Sequence, residues 1–538
     1  MINSPDSFIY NFIFDLGKFF PFKISLLGGR FFASYSEKAV LVNDTFFADY
    51  KNFLHENLSL ANSFDSIQNS TPINFINWIK YFIEHELINI EYRDIYKKFL
   101  SSDGQTTFSF CLFHTFFDIF FFESISLAKK IDSFICRLQN LPKYFLNIQE
   151  QLDQIPFTSI LELSYSSSVI NDYFIFIEES ISDLNINLKE NLSYIDQKNN
   201  LIQFFTTFRI RINETLQNYS FLDINYELRK ETFFKTVEYN LSKTKINIES
   251  DLEKILFFKN SLVAKYVPML KLDVSTEQLP AELLKISKKT KILSNAIQAQ
   301  YQKIFDEITK NLITPFTTKD KTDLLFQTIN QKTSVIAFNN LFISLALLKR
   351  NSRAKFISTN ELTTFGTIFL TTLTEIIPYI YFLETVISSS YVYSVLRFPE
   401  TEQALKMFLI YFYLQIDNQS SLDVKATLVY QLIFISEISI LDLTLHSDTN
   451  FNRAALVQTI QHKFAKNELE SEKLLEHLLN LPGFYYTSFI VLQSLINRFE
   501  IIKNNYSKEL AIQKVLSLIK LIYGAPPKLA LQEIEKIT

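Results

Sequence analysis

Apolar residues recur at helical spacing over long stretches of this chain, and the recurrence is interrupted at only a few marked points. One run opens at Ser250-Asp-Leu-Glu253, where a hydroxyl followed three residues later by a carboxylate has the form of a capping box. Leu252, Ile255, Leu256, Leu262 and Val263 then share one side of a helix until Val267 meets Pro268. Leu474, Leu475, Leu478 and Leu479 repeat the pattern before Pro482-Gly483, and Leu510, Val515, Leu516, Ile519 and Ile522 do so before Gly524 and Pro526-Pro527. No glycine occurs between Gly104 and Gly366 and no proline between Pro156 and Pro268, so long helices are expected in the middle of the chain. Residues 26–42, around Gly28-Gly29, carry the densest turn signal and are the one candidate for a strand pair.

Composition agrees with helix. Seven glycines and thirteen prolines in 538 residues leave too few turn formers for a sandwich, a barrel or a phosphate-binding loop, since roughly 12 % of the two together is usual. Hydrophobic residues at 47 % and charged ones at 20 % supply a large core and exclude a disordered chain. The expected fold is all-α or mainly α, a single continuous helical body over residues 1–538 with room for two lobes, residues 1–330 and 331–538. Lys and Arg number 53 against 57 Asp and Glu, a net charge of -4 that gives no reason to expect a nucleic-acid partner. Two cysteines, Cys111 and Cys136, make no disulfide framework and no CxxC pair, which points to a reducing cytoplasm. The first twenty residues have no basic residue before Lys18 and place Asp6 and Asp15 inside the apolar run, so no export signal is expected. The uncharged runs 333–348 and 477–497 contain Asn339-Asn340 and Pro482-Gly483, and no membrane span is expected from either.

Chemistry-bearing residues are sparse. There are six histidines, at 55, 85, 114, 446, 462 and 477. His85-Glu86-Leu-Ile-Asn89 begins like a zinc-protease HExxH helix, but the second imidazole needed one turn on is Asn89, and His85 reads as an ordinary polar helix residue. His462 and His477 have no Cys or close His beside them and read as solvated helix positions. No GxGxxG, Walker-type or GxSxG sequence occurs. The basic cluster Lys349, Arg350, Arg353 and Lys355 reads as a solvated helix end.

Four landmarks then stand in order. Asn77-Trp78 with Arg137-Leu138-Gln-Asn-Leu141-Pro142 comes first, then Asp442-Leu-Thr-Leu445-His446, Leu481-Pro482-Gly483-Phe484, and Gly524-Ala-Pro526-Pro527. In order and spacing they resemble the RLxxLPxYL, DxGLH, PGYQLSY and GSxPL segments of a bacterial helical family known as domain of unknown function 885, classed with the zincin metallopeptidases. The resemblance covers residues 75–530 and implies a helical zincin-type fold with an HExxPGHH zinc motif and a downstream Glu from EGWALYxE. Here the motif aligns with residues 374–381: Glu375 and Pro378 are kept, while Thr374, Tyr379 and Ile380 stand where His, Gly and His would be. The downstream Glu falls on Glu400, or on Glu402 if the alignment shifts, and the Gly and Trp are absent. Ile435 and Ile438 stand at the arginine positions, and Ser488 at the final tyrosine of PGYQLSY.

With both imidazoles gone, the resemblance implies a site without zinc, and no cofactor is expected. Glu375 is then a base with no metal-bound water to activate. Asp442 and His446 sit one helical turn apart, suited either to a structural pair or to a carboxylate orienting a catalytic imidazole. The expectation is a pseudoenzyme that binds a peptide or protein partner. The alternatives are an active hydrolase rearranged around His446 with Glu375 or Glu400, and a purely structural helical scaffold. Thr374, Glu375, Ile380, Glu400, Asp442 and His446 are the positions to locate. Glu375, Glu400 and His446 are expected to converge, the helix to be disturbed at Pro378, and Ile380 to be buried.

Overall fold

The computed structural model describes residues 4–19, 44–64, 71–96, 126–150, 188–218, 226–242, 246–272, 278–293, 296–312, 324–329, 353–358, 364–378, 395–416, 420–447 and 452–536, with single positions between 152 and 178 and at 392. Among these residues the fold is all-α, built from seventeen α-helices. A minor strand pair, β1 (Leu324–Ile329) and β2 (Arg353–Ser358), runs parallel with Leu324 opposite Arg353 and Ile329 opposite Ser358. The pair expected at 26–42 lies outside the described residues. Arg353 and Lys355 lie on β2 and not at a helix end; over Arg353-Ala-Lys-Phe356 charged and apolar residues alternate with the period of a strand.

The chain divides into two compact units, Met1–Asp223 with Lys321–Asn360, and Ile224–Asp320 with Glu361–Thr538. The division is not a single cut near residue 330, because a segment belonging to the first unit returns after the second has begun. In the first unit, α1 (Pro5–Leu16), α2 (Asp44–Asn62) and α3 (Thr71–Tyr96) share an aromatic core in which the Phe12 ring lies 5.5 Å from Phe53 and 6.3 Å from Phe82. The Tyr50 hydroxyl donates to buried Glu86 at 3.0 Å, and the Asn89 amide reaches Glu86 at 3.3 Å and His85 Nδ1 at 3.1 Å. The His85-Glu86 segment is thus a polar tie between α2 and α3. In α4 (Leu127–Glu150), Phe145 packs 5.1 Å from Phe205 of α5 (Leu192–Gln217).

The second unit is organised around one helix. Its elements are α6 (Tyr226–Leu241), α7 (Ile248–Tyr266), α8 (Leu279–Ser287), α9 (Ile297–Leu312), α10 (Phe365–Thr371), α11 (Pro399–Ile416), α12 (Leu422–Ser447), α13 (Arg453–Phe464), α14 (Glu468–Asn480), α15 (Phe484–Asn505), α16 (Lys508–Ile522) and α17 (Pro527–Lys536). Helices α6, α7, α8, α10, α11 and α15 all pack on α12. By length and composition α12 is apolar enough to cross a membrane, but most of its apolar stretch is buried by its neighbours, as a core helix would be. Its buried Glu437 is gripped by Lys259 Nζ at 2.5 Å and Lys463 Nζ at 2.7 Å. Burial acts to raise its pKa, but the two ammonium groups outweigh burial and hold the carboxyl below its usual value.

Helix ends follow local side-chain chemistry. α7 starts before the expected Ser250–Glu253 box because the Asn247 side chain, as good an N-cap as Ser, accepts from Ser250 N at 3.1 Å. A full capping box forms instead at Asn467 and Glu470, opening α14. α14 ends at Asn480 and α16 at Ile522, where the leucine-rich runs stop.

Candidate functional site

The segment aligned with the zinc motif continues α10. Thr364 caps α10 by accepting from Thr367 N at 3.2 Å, and the buried Thr372 and Thr374 hydroxyls donate back to Ile368 O and Leu370 O at 2.8 and 2.9 Å. Over Thr372–Ile376 the backbone widens into a π turn, with Ile377 N bonded to Thr372 O. The disturbance expected at Pro378 therefore begins before it. Pro378 has no N–H for the Thr374 carbonyl and its ring crowds that carbonyl, which a wider register relieves. Glu375 lies within the π turn, where its carboxylate meets Lys406 Nζ of α11 at 2.8 Å. Tyr379 and Ile380 lie outside the described residues, and so does the expectation that Ile380 is buried.

The first turn of α11 carries the two candidates for the downstream Glu. Glu400 is 4 % exposed, and Glu402 is held in a two-pronged ion pair by Arg397, Nη2 to Oε2 at 2.6 Å and Nε to Oε1. The guanidinium lies over the Tyr523 ring, 6.0 Å from its centre. Gly524 comes next at φ +71, and a side chain there would meet Arg397 Cγ and Glu402 Oε1 at 3.3 Å. Its carbonyl accepts from Phe398 N at 3.0 Å. Burial pushes the Tyr523 hydroxyl pKa up, Glu402 and Glu375 add to the rise, and Arg397 opposes it, so the phenol stays neutral at physiological pH.

Asp442 and His446 stand near the C-terminal end of α12, and neither side chain has any exposure. Asp442 accepts from Gly483 N, Tyr485 N and Tyr486 N, each at 3.0 Å, so one carboxylate caps the start of α15. His446 Nε2 lies 3.5 Å from Asp442 Oδ1 and 3.3 Å from Leu478 O in the last turn of α14, and its ring stacks on Phe233 of α6 at 5.1 Å. Burial pushes the Asp442 carboxyl up, to about 7, against three backbone donors that pull it down. Gly483, at φ +80, passes so close to α6 that a side chain on it would come within 2.5 Å of Val237 Cγ2. Tyr486 in turn donates from its hydroxyl to Asp251 of α7 at 2.5 Å.

The contacts of Glu375 thus run to α11, whereas those of Asp442 and His446 run to α6, α14 and α15. The structure joins one pair of landmarks, residues 442–446 with 481–484, and sets the landmark at Gly524 against residues 397–402. Ile435 and Ile438, at the arginine positions of the resemblance, have no exposure, and buried Ser488 donates to Phe484 O at 2.8 Å. Among the described residues no group of three His, Cys, Asp or Glu side chains is placed to hold a metal ion. Lys406, Arg397 and Tyr523 were not visible as site residues in the sequence. The available signal was Lys406, the one basic residue of α11, six residues after Glu400.

No family model and no curated protein matches the chain. Solved structures do match. One is a candidate lipoprotein from Colwellia psychrerythraea, 11 % identical, with a TM-score of 0.74 and 99 % of each chain covered. A second is a candidate lipoprotein of unknown function from Shewanella oneidensis, 12 % identical, with a TM-score of 0.65 and the same coverage. This chain shares their fold. At this identity the likeness extends to the fold alone.

Proposed function

We propose that the protein is a metal-independent relative of the metallopeptidase-like family it resembles, a pseudoenzyme that binds a peptide or protein partner. The observation that carries this reading is the Glu375–Lys406 ion pair at 2.8 Å. In a zinc peptidase the motif glutamate faces a metal-bound water; here an ammonium group of the chain itself neutralises it. Glu402 is likewise committed to Arg397, and the Asp442–His446 pair is sealed from solvent and bonded to backbone. Exposed Leu256, Phe257 and Met269, on α7 and the turn after it, support a partner surface.

The test is peptide hydrolysis together with metal content, on protein purified without chelator. We expect zinc well below one per chain, and no hydrolysis that Glu375→Gln removes. Stoichiometric zinc, or hydrolysis abolished by Glu375→Gln, would overturn the reading in favour of an active hydrolase. The cytoplasmic location inferred from cysteine usage stands against the description of both structural neighbours as lipoproteins. Cell fractionation separates the two, a soluble pool for the first and a detergent-released membrane pool for the second.

A further inference from the structure

A basic loop stands out against the net charge of -4. Helix α8 buries Leu279, Pro280, Leu283 and Ser287 and ends at Ser287; after it the chain runs Lys288-Lys289-Thr290-Lys291-Ile292-Leu293. Lys285, Lys288, Lys289 and Lys291 are all exposed, and Leu293 is 76 % exposed. Glu282 reaches Lys285 at 3.5 Å, a long contact open to solvent. Lys285 and Lys288 have an ordinary explanation, since cations favour the negative end of a helix. Lys289, Lys291 and Leu293 lie beyond the helix and have none. The loop is also held in place: Phe365 N donates to Thr290 O at 3.0 Å and Lys291 pairs with Thr364 in an isolated antiparallel bridge. An anchored backbone therefore presents the lysines and the leucine.

We propose that residues 285–293 form a contact surface for an anionic lipid bilayer. The cations are all lysine, compact point charges without the planar fork that arginine uses for paired recognition of a carboxylate or phosphate. That suits a diffuse plane of headgroups better than a defined acidic peptide. No aromatic residue lies in the loop to stack on a base, as a single-stranded nucleic acid would require. An exposed leucine beside the lysines supplies the apolar group that enters the headgroup boundary. Each lysine near an anionic surface contributes about a fivefold gain in partition, so the contact is reversible and salt-dependent.

The experiment is co-sedimentation of the full-length protein with vesicles of phosphatidylglycerol in phosphatidylcholine, compared with pure phosphatidylcholine. We expect binding to the anionic vesicles only, released by salt and without detergent. The triple variant Lys288→Gln, Lys289→Gln, Lys291→Gln should bind about a hundredfold more weakly, and Leu293→Ser more weakly than wild type at every salt concentration. All four positions are exposed, so each variant should keep the wild-type melting temperature. Equal binding to both vesicle types, equal binding by the triple variant, or binding to polyglutamate or single-stranded DNA without binding to vesicles would overturn the proposal.

Discussion

Single residues decide where the second unit's helices start and turn. Asp442 is the clearest, because it alone accepts from three backbone N–H groups at the start of α15. Asp442→Ala leaves those buried donors without a protein acceptor, and we expect a loss of about 3 kcal/mol or more. Asp442→Asn keeps one acceptor oxygen and should lose less, both read as shifts in the urea midpoint. Gly483 is the backbone counterpart. At φ +80 an L side chain costs about 1–2 kcal/mol, and Cβ would also strike Val237 Cγ2. Gly483→Ala should therefore destabilise, and adding Val237→Ala should recover the steric part but not the backbone part. A full rescue by the double variant would show that the conformation costs nothing.

At the scale of elements, the junction between α14 and α15 is the place where pH acts. His477 in the last turn of α14 lies edge-on to Phe484 and Tyr485, with ring centres 5.9 and 5.5 Å away, and burial lowers its pKa to about 4. The folded value lies below the unfolded one of about 6.5, so between the two the unfolded chain binds the additional proton. The resulting stability is present above pH 6.5 and is lost as pH falls toward 4. Asp442 runs the other way, its raised folded pKa costing stability as pH climbs from 3.8 toward 7. The variant difference isolates the histidine: the stability gap between wild type and His477→Gln should narrow steadily on acidification through this window. A gap that does not change with pH would mean that His477 is solvated. The π turn that follows α10 belongs to the same scale, since it spans Thr372–Ile376. Pro378 removes a donor, and the turn before it widens to compensate.

At the scale of the whole molecule, charge neutralisation by lysine and arginine predicts indifference to metal. A ligand that binds only the folded state raises stability by RT ln(1+[L]/Kd), about 4 kcal/mol at a thousandfold excess over Kd. Adding zinc, or adding chelator, should leave the melting temperature of this protein unchanged, and a clear rise with zinc would contradict the proposal. What the sequence determined by itself was local. Scarce glycine and proline, apolar residues at helical spacing, and the stops at Val267-Pro268, Pro482-Gly483 and Gly524 specified long helices and several of their ends, because these depend on neighbours along the chain. The partners of each polar side chain were another matter. Nothing in the spacing of Glu375 and Lys406, or of Asp442 and Gly483, says that they meet, and the second unit closes only after a segment of the first has intervened. Only the packing of α10 and α11 around α12 assigned Glu375 to a lysine, because an ion pair between helices is set by which faces the core presses together.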